Sequence, residues 1–233
     1  MKDAVYFPII RIIAFFYWRR PSLGAEKLLQ LSPAVIIGNH LGPEGPLGTD
    51  CSIHRRIYPW LIADMIDKKQ AADYLRWDFV ESTLKLKPPL SNALAWGISL
   101  ISVPMLTSLG CVPVDRDDYD QLQHALKATV ALLKQGKAVM IFPEDPDLEL
   151  DPQTNMRPFM KGFTRLGELF YQETGENLNF YPIAVHESKL LLVGEPISFN
   201  PENPPVMEKL RLKELQEARI KDMYLELDRI THS

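Results

Sequence analysis

A histidine at the end of an apolar run is the first candidate for chemistry in this sequence. Residues 35–40 read VIIGNH, and a loop rich in glycine and proline follows. In α/β folds, reactive side chains are often placed where a buried strand ends and a loop begins. A neutral imidazole there, here His40, can take up a proton near pH 7. Taken alone, the pattern favours a histidine that is only hydrogen-bonded within a turn.

Three later blocks are built in a similar way, as apolar strands that end in polar residues or contain a proline. They are GCVPVDR at 110–116, VMIFPE at 139–144 with RPFMKGF at 157–163, and FYPIAV at 180–185. The guanidinium of Arg116 can bind a phosphate through two hydrogen bonds, and a surface pair with Asp115 is the alternative. Pro182, inside the last block, indicates an edge strand or a bulge.

Strands interleaved with helices must position these blocks. Apolar and β-branched runs predict strands at 34–38, 61–66, 111–114, 138–142, 180–185 and 190–193. Amphipathic spacing predicts helices at 68–86, 122–133, 159–172 and 207–230, and a further helix that starts at Thr49 or Asp50 and runs to Arg56. This order predicts an α/β fold in which helices sandwich a mixed, mostly parallel sheet.

Composition and missing motifs exclude several classes of function. The chain has 233 residues, is 46% hydrophobic and 24% charged, and has a net charge of −4, which argues against a general nucleic-acid binder. Two cysteines do not form a disulfide framework and favour a reducing cytoplasm. The sequence contains no dinucleotide fingerprint, P-loop, nucleophile elbow or zinc-protease motif.

The N-terminal segment is apolar and aromatic with basic flanks. From Tyr6 to Trp18 only Arg11 interrupts it, and Arg19 and Arg20 follow. It is too short to span a bilayer, which needs ~20 apolar residues, and no cleavage site of small residues follows it. A helix that lies at a membrane interface is slightly favoured over one that packs in the core.

A second uncharged stretch lies between Lys87 and Asp115. It contains Gly97 and Pro104, which do not suit a helix surrounded by lipid. A buried helix followed by a strand is therefore predicted in preference to a transmembrane span, and contact with a lipid surface stays open.

The order and spacing of the four blocks resemble the glycerolphosphate and lysophospholipid acyltransferase superfamily. The resemblance covers roughly residues 5–200 and includes the basic amphipathic start, the Lys161-Gly162 pair and GEPI at 194–197. It implies transfer of a fatty acyl group from a coenzyme A or acyl-carrier-protein thioester to a hydroxyl or amine, with His40 as general base. It requires no bound cofactor and no metal.

The resemblance also implies an organisation and a location. Residues 1–30 are expected to form an amphipathic membrane-associating helix, residues 31–200 the acyltransferase domain, and residues 201–233 a C-terminal amphipathic helix. The expected partners are the membrane surface, the acyl donor and a lipid or polar acceptor, and the expected location is peripheral, on the cytoplasmic side. Residues expected to bind substrate are Asn39, Arg116, Glu144, Arg157 and Lys161.

Two departures from the superfamily pattern affect the expected site. An acid that orients the histidine is expected five positions after it, but that residue is Gly45. Asp50 is the preferred substitute because it lies at the predicted helix start, where it could instead be an N-cap. Glu44 is one residue early and could be a solvated loop carboxylate. If neither reaches His40, the chain is a weak enzyme or an inactive lipid-binding protein.

The second departure is in the third block. Members with phosphate-bearing acceptors have Phe-Pro-Glu-Gly-Thr-Arg, whereas this chain continues after Glu144 with acids at alternating positions, namely Asp145, Asp147, Glu149 and Asp151. These acids would repel an anionic phosphate, which favours a neutral or amine-bearing acceptor. They lack the central glycine and final glutamate of an EF-hand, so a solvated loop is predicted.

Overall fold

The computed structural model describes residues 3–19, 22–28, 33–42, 44–53, 55–82, 84–115 and 118–232. Its α-helices are α1 Asp3–Tyr17, α2 Glu44–Ser52, α3 Ala71–Leu75, α4 Leu90–Leu109, α5 Tyr119–Lys134, α6 Arg165–Thr174 and α7 Pro205–His232. Its strands are β1 Ser22–Leu23, β2 Ala34–Gly38, β3 Ile57–Ile62, β4 Val112–Val114, β5 Ala138–Ile141, β6 Asn179–Val185, β7 Leu191–Val193 and β8 Ile197–Ser198.

The chain folds as two compact units. The insert unit is Tyr58–Ala125, and the main unit is formed by the chain on either side of it. In the main unit the strands are ordered β1-β7-β6-β2-β5, and β8 pairs with β6. The pairs β1–β7, β2–β5 and β2–β6 are parallel, while β6–β7 and β6–β8 are antiparallel. The predicted α/β class with a mixed, mostly parallel sheet is confirmed.

The central strand β2 is buried along its whole length, as a continuous apolar run in a parallel sheet should be. Its register sets Val35 opposite Val139 of β5 and Phe180 of β6. Because parallel neighbours end at the same edge, the residues after β2 and β5 are brought together there. This edge holds His40 and Glu144.

The prediction of an edge strand or bulge at Pro182 is wrong. Strand β6 lies between β2 and β7, and Pro182 is paired in register with Ile37. Proline removes one donor but leaves its carbonyl free to accept. That carbonyl accepts the N–H of Gly194 at 2.9 Å, so the strand keeps a bond at this position.

The terminal helices pack on the main unit. Helix α1 buries Tyr6, and Trp18 directly after it is also buried. Helix α7 packs on β6, where Nε2 of Gln216 donates to the carbonyl of Phe180 at 3.0 Å. The proposed domain boundaries at 30/31 and 200/201 stay predictions.

The insert unit combines a parallel strand pair with short helices. Strands β3 and β4 pair with Trp60 opposite Val112. The predicted helix at 68–86 is α3 followed by a π-helical turn, Arg76–Glu81. The strand predicted at 61–66 is placed too late, because β3 ends at Ile62 and Ala63–Met65 form a 3₁₀ turn. Helix α4 packs against α3 and this turn, and three residues form a small core: Leu75, Val80 and Ala95.

The helix and strand predicted between Lys87 and Asp115 are present as α4 and β4. The predicted burial of that helix is wrong, because Leu100 and Ile101 are among its most exposed residues. Among the residues that the structure describes, α4 is the one helix long and apolar enough to cross a membrane, judged by length and composition.

Candidate functional site

Asn39 fixes the end of β2 just before His40. Its amide is fully buried, Nδ2 donates to the carbonyl of Val185 at 2.9 Å, and Oδ1 accepts the N–H of Val185 at 2.8 Å. The side chain therefore continues the pairing of β2 with β6 beyond the last ladder bond. The substrate-binding role expected for Asn39 stays a prediction, and the bonds that the structure shows position the strand end.

His40 is exposed, and Glu144 holds its main chain. Oε1 of Glu144 accepts the backbone N–H of His40 at 2.8 Å, and Oε2 accepts the backbone N–H of Arg157 at 2.9 Å. Burial raises the pKa of Glu144, and the two N–H donors counteract that shift. One buried carboxylate thus links the end of β2 to the second half of the third block. These bonds position the main chain, and the substrate contact expected for Glu144 stays a prediction.

The ring of Phe142 contacts the imidazole of His40. The two rings are edge-to-face, with centroids 5.5 Å apart and planes at 84°. Phe142 has room because residue 38 is glycine: a Cβ on Gly38 would lie 3.0 Å from Cε1 of Phe142. Gly38, the last residue of β2, therefore leaves the space in which the Phe142 ring contacts His40.

Helix α2 starts directly after the histidine turn, at Glu44, where the backbone N–H of Gly45 donates to the carbonyl of His40 at 3.1 Å. The expected helix start at Thr49 or Asp50 is wrong. Asp50 lies in the last turn of α2, so neither the N-cap alternative nor the argument for preferring it as partner of His40 holds. Glu44 lies in the first turn.

No side chain fits at position 45. A Cβ on Gly45 would lie 2.1 Å from the carbonyl oxygen of His40 and 2.7 Å from that of Asn39. Those atoms are backbone and cannot rotate away. The backbone conformation therefore excludes the acid expected at this position, and an aspartate placed there would displace the histidine turn.

The two candidate carboxylates are each bound by a tyrosine of α1. The hydroxyl of Tyr17 donates to Oε1 of Glu44 at 2.8 Å, and that of Tyr6 donates to Oδ1 of Asp50 at 2.9 Å. Burial raises the pKa of Asp50 to about 6, although the bond from Tyr6 counteracts this shift. Neither tyrosine is predicted from the sequence to be part of the site, although their spacing of eleven residues, about three helical turns, places them on one face of α1.

Tyr17 also contacts the loop after β6. Nζ of Lys189 lies 3.7 Å from the centroid of the Tyr17 ring and donates to the Tyr17 carbonyl at 3.2 Å. The next residue, Trp18, lies so close to Gly48 of α2 that an added Cβ would be 2.5 Å from its ring. The C-terminal end of α1 is thus packed against the middle of α2.

The other residues expected to bind substrate are placed as follows. The guanidinium of Arg157 donates to the carbonyl of Leu148. Leu148 lies in the acidic loop, which we define as residues 145–158. Lys161 is exposed just before a 3₁₀ turn. Arg116 lies outside the described residues.

The two ends of the acidic loop are bonded to each other. Glu144 and Phe159 form an isolated bridge, and the N–H of Asp145 donates to the carbonyl of Pro158 at 2.9 Å. Asp151, the last acid of the run, lies 3.5 Å from Nζ of Lys221. In the described part of the chain, no group of three or more His, Cys, Asp or Glu side chains could hold a metal ion.

A comparison with known protein families gives a match. Residues 93–186 match the protein family described as Acyltransferase. The matched segment runs from α4 to the residue after β6 and contains Glu144 and Arg157, whereas His40 and α2 precede it. No curated protein matches the chain significantly.

Proposed function

Because this chain belongs to the glycerolphosphate and lysophospholipid acyltransferase superfamily, we propose that it transfers a fatty acyl group from a thioester donor to a hydroxyl or amine acceptor. Acyltransferase activity is the part that the family itself supports. The donor, which we take to be acyl-CoA or acyl-carrier protein, the acceptor and the base are our inference. The observation that carries it is an exposed His40 whose main chain is held by Glu144 at 2.8 Å.

In this proposal His40 is the general base. Its ring nitrogen takes the proton of the acceptor hydroxyl or amine while the acceptor attacks the thioester carbonyl. The tetrahedral intermediate collapses, the C–S bond breaks, and the imidazolium returns the proton to the leaving thiolate. A positioned base contributes about 10²–10⁴-fold to such a step. The backbone bond that holds His40 and the contact of its ring with Phe142 support this role.

We propose Glu44 as the carboxylate that orients His40, ahead of Asp50. The first N–H of α2 after Glu44 is bonded to the carbonyl of His40, so Glu44 lies beside the histidine turn. Asp50 lies six residues further on, roughly 9 Å along the helix axis. A carboxylate beside the base would fix its tautomer and stabilise the imidazolium.

The acceptor is proposed to carry a neutral or an amine-bearing group. The loop between Glu144 and Phe159 places four acids after the third block, and the side chain of Arg157 is bonded within that loop. Such a cluster disfavours an anionic acceptor phosphate and attracts a cationic amine.

The reaction is proposed to take place at a membrane surface, with α1 as the peripheral contact on the cytoplasmic side. The first part of α1 is held by the buried Tyr6, while Phe15 and Phe16 near its end are 62% and 75% exposed. Arg11 and Arg19 add positive charge for anionic headgroups. Exposed aromatic rings beside basic residues suit a membrane interface.

The proposal is tested by thiol release. Purified protein is incubated with labelled acyl-CoA or acyl-carrier protein, with a panel of lysolipids, neutral alcohols and amine-bearing lipids, and the labelled product is identified by mass spectrometry. We expect thiol release that requires an acceptor and gives the acylated acceptor. Release without any acceptor would identify a thioester hydrolase and contradict the proposal.

A second candidate function is an inactive lipid-binding protein on the same scaffold. The observation that favours it is Gly45, where the backbone excludes the expected acid. This function predicts vesicle binding with no thiol release for any donor and acceptor pair. The same assay therefore separates the two candidates.

A further inference from the structure

The buried stripe of helix α4 consists of small and medium-sized residues, and many of its large apolar residues are exposed. Four residues spaced by four form its buried stripe, and they are small or medium-sized: Ser91, Ala95, Ser99 and Val103. The large apolar side chains are exposed: Leu90, Leu94, Trp96, Leu100, Ile101 and Met105. Ile101 is 73% exposed and Trp96 61%.

This arrangement is the reverse of a helix on the surface of a protein in water. There, the large apolar residues form the stripe that faces the core. Where lipid is the solvent, small residues mediate close helix contact and large apolar residues face outward. The stripe of α4 fits this second pattern, because it packs on α3 and the π-helical turn, where Oγ of Ser91 donates to Glu81 at 2.8 Å.

The charge distribution agrees with a bilayer as the covering partner. From residue 88 to residue 114 the sequence has no charged residue. Two exposed cations, Lys85 and Lys87, come immediately before the helix and complement anionic headgroups. Trp77 on the adjacent turn is 58% exposed, and tryptophan favours the boundary between headgroups and hydrocarbon.

We propose that the exposed face of α4 is a second membrane-contact surface, which lies in the plane of an anionic phospholipid bilayer with Leu100 and Ile101 in the hydrocarbon and Lys85 and Lys87 at the headgroups. The buried stripe remains on α3, so lipid reaches one side of the helix only. This proposal adds to the proposed function. It depends on that function only in assuming that the protein acts at a membrane. It is separate from α1 and from His40.

Vesicle flotation tests the surface. Full-length protein is mixed with vesicles of phosphatidylcholine alone or with added phosphatidylserine, and bound protein is measured after centrifugation. The α4 variant is Leu100→Glu with Ile101→Glu. The matched control is Val206→Glu with Met207→Glu, two exposed apolar residues of α7. We expect the α4 variant to partition to anionic vesicles at least about tenfold less, and the α7 control to bind like wild type.

Two further measurements keep the test decisive. If the double variant misfolds by circular dichroism, Ile101→Ser replaces it and the same direction is expected with a smaller loss. Quenching by brominated lipids is compared between wild type and Trp96→Phe, and we expect wild type to lose more fluorescence. Equal flotation and equal quenching would overturn the proposal. Self-association that the α4 variant abolishes, with no vesicle binding by wild type, would overturn it in favour of a second copy.

Failure of this surface can be told apart from failure of the proposed reaction. His40→Ala should float like wild type while acceptor-dependent thiol release is lost. The α4 variant should retain thiol release with donor and acceptor in detergent micelles, where no bilayer is needed. If the α4 variant floats normally while His40→Ala is inactive, the surface is refuted and the proposed reaction stands.

Discussion

The two ends of helix α2 have similar chemistry in different settings. At its start, Glu44 accepts a hydrogen bond from Tyr17 and lies beside the histidine turn. In its last turn, Asp50 accepts one from Tyr6, and burial raises its pKa to about 6. Each end pairs a carboxylate with a tyrosine of α1. The two carboxylate–tyrosine pairs are alike, so the pair itself does not mark a catalytic residue. What differs is the position relative to His40, and this makes Glu44, not Asp50, our candidate for the orienting carboxylate.

The strongest test of this comparison replaces each carboxylate by its amide. We expect Glu44→Gln to lower kcat of thiol release by about 10²–10⁴-fold, because the imidazole would lose the carboxylate that we propose fixes its tautomer. Asp50→Asn should retain most of the activity. Steady-state kinetics at pH 7.5 measures both. The opposite order of effects would show that Asp50 is the partner of His40.

The second prediction concerns the crowded start of the helix. Gly45→Ala should lower the free energy of unfolding by about 3 kcal/mol or more, since its Cβ would overlap the carbonyls of His40 and Asn39. Gly162→Ala is the matched control, because a Cβ there meets nothing within 4 Å. Urea unfolding measures both variants. Equal stability of the two would contradict the tight packing of Gly45 on the histidine turn.

The third prediction is a pH dependence at the other end of α2. The pKa of Asp50 is about 6 in the fold and ordinarily 3.8, so the folded protein holds this proton more tightly than the unfolded chain between those values. The free energy of unfolding therefore falls as the pH rises from about 4 to about 6 and Asp50 loses its proton, by up to about 3 kcal/mol. Asp50→Asn should be more stable than wild type at pH 8 and equal to it below pH 4.

Urea unfolding from pH 4 to 8 measures this difference. Glu44→Gln, at the other end of the helix, is the control, and its stability difference from wild type should not follow this curve. A variant Asp50→Asn that is less stable than wild type at pH 8 would show that the partly buried carboxylate is stabilised by its charge.

The smallest expected effect is at the support of the imidazole. In Gly38→Ala the added Cβ lies 3.0 Å from the Phe142 ring, so the ring must shift by a few tenths of an ångström. We expect a loss of less than about 1.5 kcal/mol in stability and a lower kcat with KM nearly unchanged. Gly97→Ala, with open space around its Cβ, is the control and should leave kcat unchanged. An unchanged kcat in Gly38→Ala would separate the Phe142 contact from catalysis.

Local sequence predicted the strands that form the site, and distant contacts decided the rest. The β-branched run of β2 and the apolar run of β5 are evident without a structure, and so is His40 at a strand end. The bond from His40 to Glu144 depends on the register of two strands 104 positions apart in sequence, which no local pattern encodes. Two lysines that contact other parts of the chain, Lys189 and Lys221, were unpredictable for the same reason.

Two errors have identifiable physical causes. The start of α2 was missed because its first turn reads EGPLG, with two glycines, although Pro46 in the first turn is a known start signal. The predicted burial of α4 is wrong because an uncharged apolar segment need not face the core: its buried stripe is formed by Ser91, Ala95, Ser99 and Val103, whereas Leu100 and Ile101 are exposed.

The central claim is that His40 is the base of an acceptor-dependent acyl transfer. It is tested most directly by single-turnover thiol release from acyl-CoA in His40→Ala, compared with His124→Ala, an exposed histidine of α5. We expect His40→Ala to lose acceptor-dependent release by at least about 10²-fold while binding of the donor and the unfolding midpoint stay unchanged, and His124→Ala to match wild type. Undiminished release in a folded His40→Ala variant would contradict the claim.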